Sequence, residues 1–496
     1  MVGARKRLVA LALCIASARV LAGDQYLVFG GGGDPESSQV SIEQNVAWIQ
    51  ARLQSRDFTA GAVLFGGGPE GTTDVLWRAE ADVEVAFWRP FSRLSPQWKQ
   101  GALMSRGNTI EQNLGPATRD GVLTVIERAV DALDSGDRLF LTYAGHGSLK
   151  PGDTNGNAMR LWGHTFVNVR EMGNELRKLP AGANVQFILP QCYSGSFVRS
   201  IFGNPDAPAL ASVTGNICGF VSVSDVVESE GCTTGIDSGD YRDYASYMLG
   251  ALTGTTRSGG TLARVVDLNR DGSVGLDEAH VDTFVHAPST DVPRSTSDAY
   301  LEAWEPWYLR FRAGLATSRN NPYRPMIEGL VSRLGLGQAG SSLSPGDLAA
   351  TAYAHRRVRA AAVADWVSKL DMARTDEKDL RTRLKQDFDL RWPGLDGALG
   401  ARHARLFNAN APAARSWLVS RTEYAELATK QTYVDSLEKN LLHSRRQLAA
   451  YERLDRALRL ASLYEAFEHH AGKATQARYR ALKQCEAQAL PRAIAP

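Results

Sequence analysis

The sequence predicts a doubly wound α/β unit on a mainly parallel sheet, followed by an all-α C-terminal region. Three observations carry this. Two apolar runs, 139–144 and 185–189, stop at reactive side chains, His146 and Cys192, set among small residues. Between them, residues 167–179 place Val169, Met172, Leu176 and Leu179 at helical spacing. Beyond residue 345 the chain turns rich in Ala, Arg, Leu and Glu. Continuous apolar runs are the pattern of strands buried on both faces, and strand, helix, strand is the right-handed crossover that a parallel sheet requires. Such strands deliver their terminal residues to the carboxyl edge of the sheet, where open α/β sheets bind ligands.

The remaining elements follow in order. Residues 25–29 read as a strand, and Gly30 to Gly33 as the turn after it. Ile42 to Leu53 read as an amphipathic helix, and 61–65 as a second strand ending in Gly66-Gly67-Gly68-Pro69. Neither glycine cluster has the spacing of a phosphate loop. Residues 90–118 are irregular and read as an insertion. Asp120 to Ala132 read as a helix leading into the His146 strand. Residues 219–224 give a further strand, and Tyr244 to Leu252 a helix. The α/β unit is placed at 23–315, a linker at 316–345 whose Gly/Ser-rich stretch is 335–345, and a helical region at 346–496. There Leu427, Val434, Leu441 and Leu448 recur every seven residues. Gln431, Ser444 and Asp455 interrupt the stripe, so a bundle or hairpin fits better than a long coiled coil. His469-His470 reads as a solvated helix end rather than a metal pair.

Of 496 residues, 56 are basic and 54 acidic. Residues 1–22 combine Arg5, Lys6 and Arg7 with a short apolar run and small residues, the pattern of an export signal, and predict a periplasmic or extracellular protein. Without that segment the formal charge moves from +2 to −2, because it holds four bases (with Arg19) and no acid. A near-neutral chain gives no electrostatic case for nucleic acid, and no later apolar stretch is long enough to span a bilayer. If Cys192 is catalytic it should stay unpaired. Cys218 and Cys232 bracket a short loop and are the candidate disulfide, which leaves Cys485 over.

A thiol is mostly protonated near neutral pH, so a nucleophilic cysteine needs a base to take its proton and return it to the leaving amine. His146 suits that role. The amides of Gly147 and Cys192 are candidates for binding an oxyanion, and a side chain at 147 would crowd them. His146-Gly147 and Gln191-Cys192-Tyr193-Ser194-Gly195-Ser196 resemble the caspase-like cysteine peptidases, closest to the legumain branch. The separation of 46 residues matches the spacing of roughly 50 in that superfamily.

The resemblance implies a three-layer caspase-like sandwich, a His146/Cys192 dyad, a protein or peptide substrate docked along residues 221–225, and pocket roles for Ser229 and Asp243. The chain departs from the pattern at Pro190, where relatives carry Asp, Glu or Gln. It also lacks the Asn that would orient His146, a role for which Asp34 is the candidate, and an Arg in the loop after the first strand. Asparagine preference is therefore not implied. A transpeptidase or ligase using the same dyad stays open, as does an inactive calcium-binding member of the fold. The resemblance also admits contact between the C-terminal helices and the peptidase unit.

Residues 267–278 carry a separate signal. Asp267, Asn269, Asp271, Gly272, Ser273, Gly275 and Glu278 occupy every diagnostic position of an EF-hand loop. Carboxylate and amide oxygens at alternate positions suit a hard cation, so Ca2+ is the predicted cofactor. An unpaired loop of this kind is expected to act as a structural clip.

Overall fold

The computed structural model describes residues 23–69, 72–78, 90–94, 103–232, 243–309, 318–336, 345–393 and 404–494. The export segment expected at 1–22 lies outside them, as do parts of the expected insertion and linker. In chain order the strands are β1 (Gln25–Gly31), β2 (Ala60–Phe65), β3 (Val75–Arg78), β4 (Leu103–Arg106), β5 (Arg138–Gly145), β6 (Gly147–Ser148), β7 (Ala158–Leu161), β8 (Thr165–Asn168), β9 (Asn184–Leu189), β10 (Ile217–Val221) and β11 (Arg294–Ser295). The central sheet runs β2-β1-β5-β9-β10-β11. All its pairings are parallel except that of the edge strand β11 with β10. A mixed α/β architecture with a mainly parallel sheet and a helical C-terminal region is what the sequence predicts.

The chain leaves β1 for β2 on one side and returns across it to β5 on the other. The strand order therefore reverses between β1 and β5, which makes their carboxyl ends the topological switch point of the sheet. Alternate residues of each buried strand serve opposite faces. Leu27, Phe29, Leu139, Leu141, Val185 and Phe187 join one core, and Tyr26, Val28, Phe140, Ile188 and Phe220 the other. The helix Arg119–Asp131 packs into the first core through Val122, Ile126 and Val130, and Val40–Gln54 into the second through Ile42, Val46 and Ile49. The crossover helix between β8 and β9 is Val169–Leu176. Asn168 and Glu171 form its capping box, and Val169, Met172 and Leu176 are buried as their spacing predicts.

The chain beyond the expected linker occupies two environments. Helices Pro345–Arg391 (47 residues) and Thr422–His470 (49 residues) pair antiparallel, with Leu370 against Leu437 and Leu441. At 1.5 Å per residue each is about 70 Å long. Phe91 and Leu94 from the insertion pack at the far end of this arm, with Leu384, Phe388 and Leu427. The near end belongs to the sheet. Leu454, Leu460 and Phe467 join the first core, and the helix Lys473–Glu486 lies against β9 and β10.

Cys485 near the end of that helix is bonded to Cys218 in β10, with their Cα atoms 6.0 Å apart. This corrects the expected Cys218–Cys232 pair. Cys218 is fully buried in the core that the C-terminal helix covers, so its nearest thiol in space is 267 residues away in sequence. None of the helices among the described residues is long and apolar enough to cross a membrane.

Candidate active site

His146 directly follows β5 and Cys192 follows β9, and these strands are hydrogen-bonded neighbours. The two residues belong to segments in direct backbone contact. A Cβ built on Gly147 would fall 1.9 Å from the carbonyl oxygen of Cys192 and 3.1 Å from its Cα. Glycine is therefore demanded by close approach, as the sequence suggests. Gly147 is also fixed from the other side, where β6 pairs with β7 at Gly147 and Met159.

The imidazole of His146 is held through Nε2, which lies 2.9 Å from the carbonyl oxygen of Ser37 and 3.0 Å from Oε1 of Gln39. Both are acceptors, so Nε2 carries the proton and Nδ1 keeps its lone pair. Burial lowers the imidazole pKa below its ordinary value, and the nearby Arg160 guanidinium lowers it further. The Ser37 carbonyl and the Asp34 carboxylate act the other way. His146 is thus a neutral base at pH 7. Ser37 and Gln39 take the orienting role for which Asp34 was a candidate. Asp34 acts one step back, accepting from the Ser37 amide at 2.8 Å and pairing with Arg160 at 3.1 Å. The segment is braced by β3, whose Leu76 amide donates to the Ser38 carbonyl at 2.7 Å.

Cys192 is 6% exposed. The next residue, Tyr193, has φ 60° and ψ 18°, the left-handed region that non-glycine residues seldom enter. This sharp turn sends the chain from β9 into the 3-10 segment Ser194–Ile201. The Tyr193 amide donates to the Val227 carbonyl at 2.9 Å, and Sγ of Cys192 lies 3.8 Å from the Ser229 carbonyl oxygen. Residues 227–229 therefore form a wall beside the sulfur. Contrary to the expectation of a free thiol, Cys192 is disulfide-bonded. Gln191, 1% exposed, bonds through neither atom of its side-chain amide, and the buried Ser38 hydroxyl is likewise without a bond. Unsatisfied polar side chains thus flank Cys192 on one segment and Gln39 on the other, and each such buried group is costly unless something binds it.

Ser229 is in this wall, but its hydroxyl donates to Asp291 Oδ2 at 3.1 Å. Asp243 is 1% exposed and caps the helix Tyr244–Thr253. Its carboxylate accepts from the Ser246 amide at 2.7 Å and from the Asn45 side chain at 2.8 Å. Both of its oxygens are therefore occupied within the fold. Asp291 was not signalled by the sequence. It is buried, and its carboxylate receives the Glu230 amide at 2.8 Å as well as Ser229. Burial pushes its pKa up to about 7, the neighbouring Glu230 carboxylate adds to the rise, and the Glu230 amide and Arg453 oppose it.

The 267–278 loop is turned as its glycine predicts, with Gly272 at φ +89°. Asp267 accepts from the amides of Arg270 at 2.6 Å and Gly272 at 3.0 Å, and Asp271 accepts from Ser273 at 2.9 Å. Glu278 accepts from the amides of Leu268, Asn269 and Gly275, which folds the twelfth position back onto the start of the loop. The donor set suits calcium chemically. Its carboxylates are spent on loop amides, and no group of three His, Cys, Asp or Glu side chains gathers as a metal site among the described residues.

No family model matches the chain, and no curated protein does either. Solved structures do. One is a protein from Geobacter sulfurreducens, at 16% identity and TM-score 0.31, covering 55% of this chain and 92% of that one. Another is a secreted C11 cysteine protease from Bacteroides thetaiotaomicron, solved with an irreversible peptide inhibitor. It matches at 12% identity and TM-score 0.22, over 53% of this chain and 69% of its own. At these scores neither likeness carries an argument, and the functional reading rests on the site itself.

Proposed function

We propose that the protein is an exported cysteine endopeptidase of caspase-like fold that uses His146 and Cys192. The contact of Gly147 on the Cys192 backbone, with His146 locked in the tautomer that leaves Nδ1 basic, is the observation that supports it most. The disulfide at Cys192 makes this a latent form. A small thiol must first reduce it, giving two cysteine thiols and the oxidised reductant. Cys192 then loses its proton to His146, and its sulfur attacks the peptide carbonyl. The resulting oxyanion sits on the amides of Gly147 and Cys192. As the C–N bond breaks, His146 gives its proton to the leaving amine, and water then hydrolyses the thioester. An amine in place of water would make the same intermediate a transpeptidase.

The legumain branch rests on the sequence motifs alone. A calcium ion at 267–278 would be held by Asp267, Asn269, Asp271, the Ser273 carbonyl and Glu278, and would brace the C-terminal tail that pairs with Gly275. The rival reading, an inactive calcium-binding relative of this fold, draws its support from Pro190 and from the bonded state of Cys192. Labelling with iodoacetamide after reduction and removal of the reductant separates the two. A peptidase gives labelling of Cys192 that is fast and slowed by His146→Ala, whereas an inert thiol reacts equally slowly in both proteins.

A further inference from the structure

The wall beside Cys192 is fastened to the C-terminal arm. Arg446, on the helix Thr422–His470, forks the Glu230 carboxylate. Its Nε is 3.1 Å from each oxygen, and a terminal nitrogen is bonded to Oε1. Glu230 is buried, with its side chain 5% exposed, and its Oε2 also accepts the Thr290 amide at 2.9 Å. Two turns further along, the buried Arg453 spends its guanidinium on four main-chain carbonyls. These are Asp291 at 2.7 Å, Ala287 and Ser289 at 2.8 Å, and Phe284 at 3.2 Å. Asp291 in turn binds the Glu230 amide and the Ser229 hydroxyl, and the Ser229 carbonyl lies against the Cys192 sulfur. An unbroken set of contacts therefore runs from the arm to the nucleophile.

Burying a guanidinium group as Arg453 does is expensive unless its donors are used, and hydrophobic side chains would hold a helix to a sheet at less cost. What only charged groups supply here is a fixed position for residues 229–230 and 287–291. Residues 287–291 lie outside regular helix and strand, and these bonds fix where they sit against residues 229–230. Loops fixed in this way by a rigid element are the usual carriers of substrate contacts. We infer that Arg446 and Glu230 are positioning residues of the active site, so that the arm forms the outer support of the substrate-binding wall. This rests on the cysteine peptidase reading.

The test compares reduced wild type with Arg446→Gln, Arg446→Lys and Arg459→Gln, the last removing a pair with Glu305 on the same helix away from the wall. Peptide kcat and KM, the rate of Cys192 alkylation by iodoacetamide, and melting are followed together. The expected result is a fall of about tenfold or more in kcat/KM for Arg446→Gln, with partial rescue in Arg446→Lys and no change in Arg459→Gln. Alkylation, which needs only the thiol and its base, should stay within about twofold in every variant, while Arg446→Gln, which leaves the buried Glu230 carboxylate without this partner, should melt lower than Arg446→Lys. A wild type that cleaves, with Arg446→Gln cleaving at the same kcat/KM, overturns this inference alone. A wild type inert to peptides overturns the peptidase reading and this inference with it. If Arg446→Gln fails to fold, Glu230→Gln keeps the shape, removes the charge and gives the same test.

Discussion

The two halves of the site are held by different forces. His146 is oriented by a main-chain carbonyl and a neutral amide from one short segment, Ser37 to Gln39, braced by the adjacent ribbon. The wall next to Cys192 is held by charged groups drawn from distant parts of the chain, with the half-buried Arg446 and buried Arg453 on the arm, and buried Glu230 and Asp291 beneath them. Neutral acceptors fix a tautomer without responding to pH or salt. The wall responds to pH through Asp291, whose burial raises its pKa to about 7. The direct partners of His146 therefore include no titrating group, whereas the wall contains one in Asp291.

The sharpest way to break the comparison is at the point where both halves touch. Gly147→Ala would drive a methyl group into the Cys192 carbonyl, and it is expected to cut peptide cleavage by about a thousandfold or more. A variant retaining near-normal kcat/KM would mean the two segments are not rigidly apposed.

The wall supplies the next largest effect. Asp291 titrates at about 7 in the folded chain, against 3.8 as the ordinary value, so the folded protein binds this proton more tightly than the unfolded one. Its contribution to stability is fully present below pH 4 and is lost as pH rises through 7. The linkage amounts to about 4 kcal/mol at the most. Urea midpoints measured from pH 4 to pH 8 should show this loss, and Asp291→Asn should flatten it. A wild-type profile that rises steadily over that range would contradict the charge account of the wall.

On the base side, Gln39→Ala removes one of two acceptors and leaves the Ser37 carbonyl. A fall of about tenfold in kcat is expected, with KM unchanged. The smallest effect belongs to the calcium loop, remote in sequence from both halves. Calcium should raise melting by a few degrees in wild type and not in Glu278→Gln, as calorimetry with and without chelator would show.

The same contrast explains what could be read in the sequence. The strands ending at His146 and Cys192, the helix around Met172 and the need for Gly147 were legible, because each is set by local periodicity or by a motif. The helical hairpin was legible in the spacing of Leu427, Val434 and Leu441. The wall was not. Arg453 and Asp291 look like ordinary surface charges until partners far away in sequence bury them. Cys218 found Cys485 rather than Cys232 because β10 faces the C-terminal helix, a fact of topology with no signature near either residue. Asp243 reads as a pocket acid in a motif, but local backbone geometry makes it a helix cap. Ser37 and Gln39 left only a faint sign, a polar stretch just after a glycine run at a strand end.

The most direct test of the account is cleavage of a peptide library by the reduced protein, run beside Cys192→Ala and His146→Ala. The account predicts cleavage by wild type that depends on reductant, with no detectable cleavage in either variant. Cleavage that survives Cys192→Ala, or none by wild type after full reduction, would contradict it.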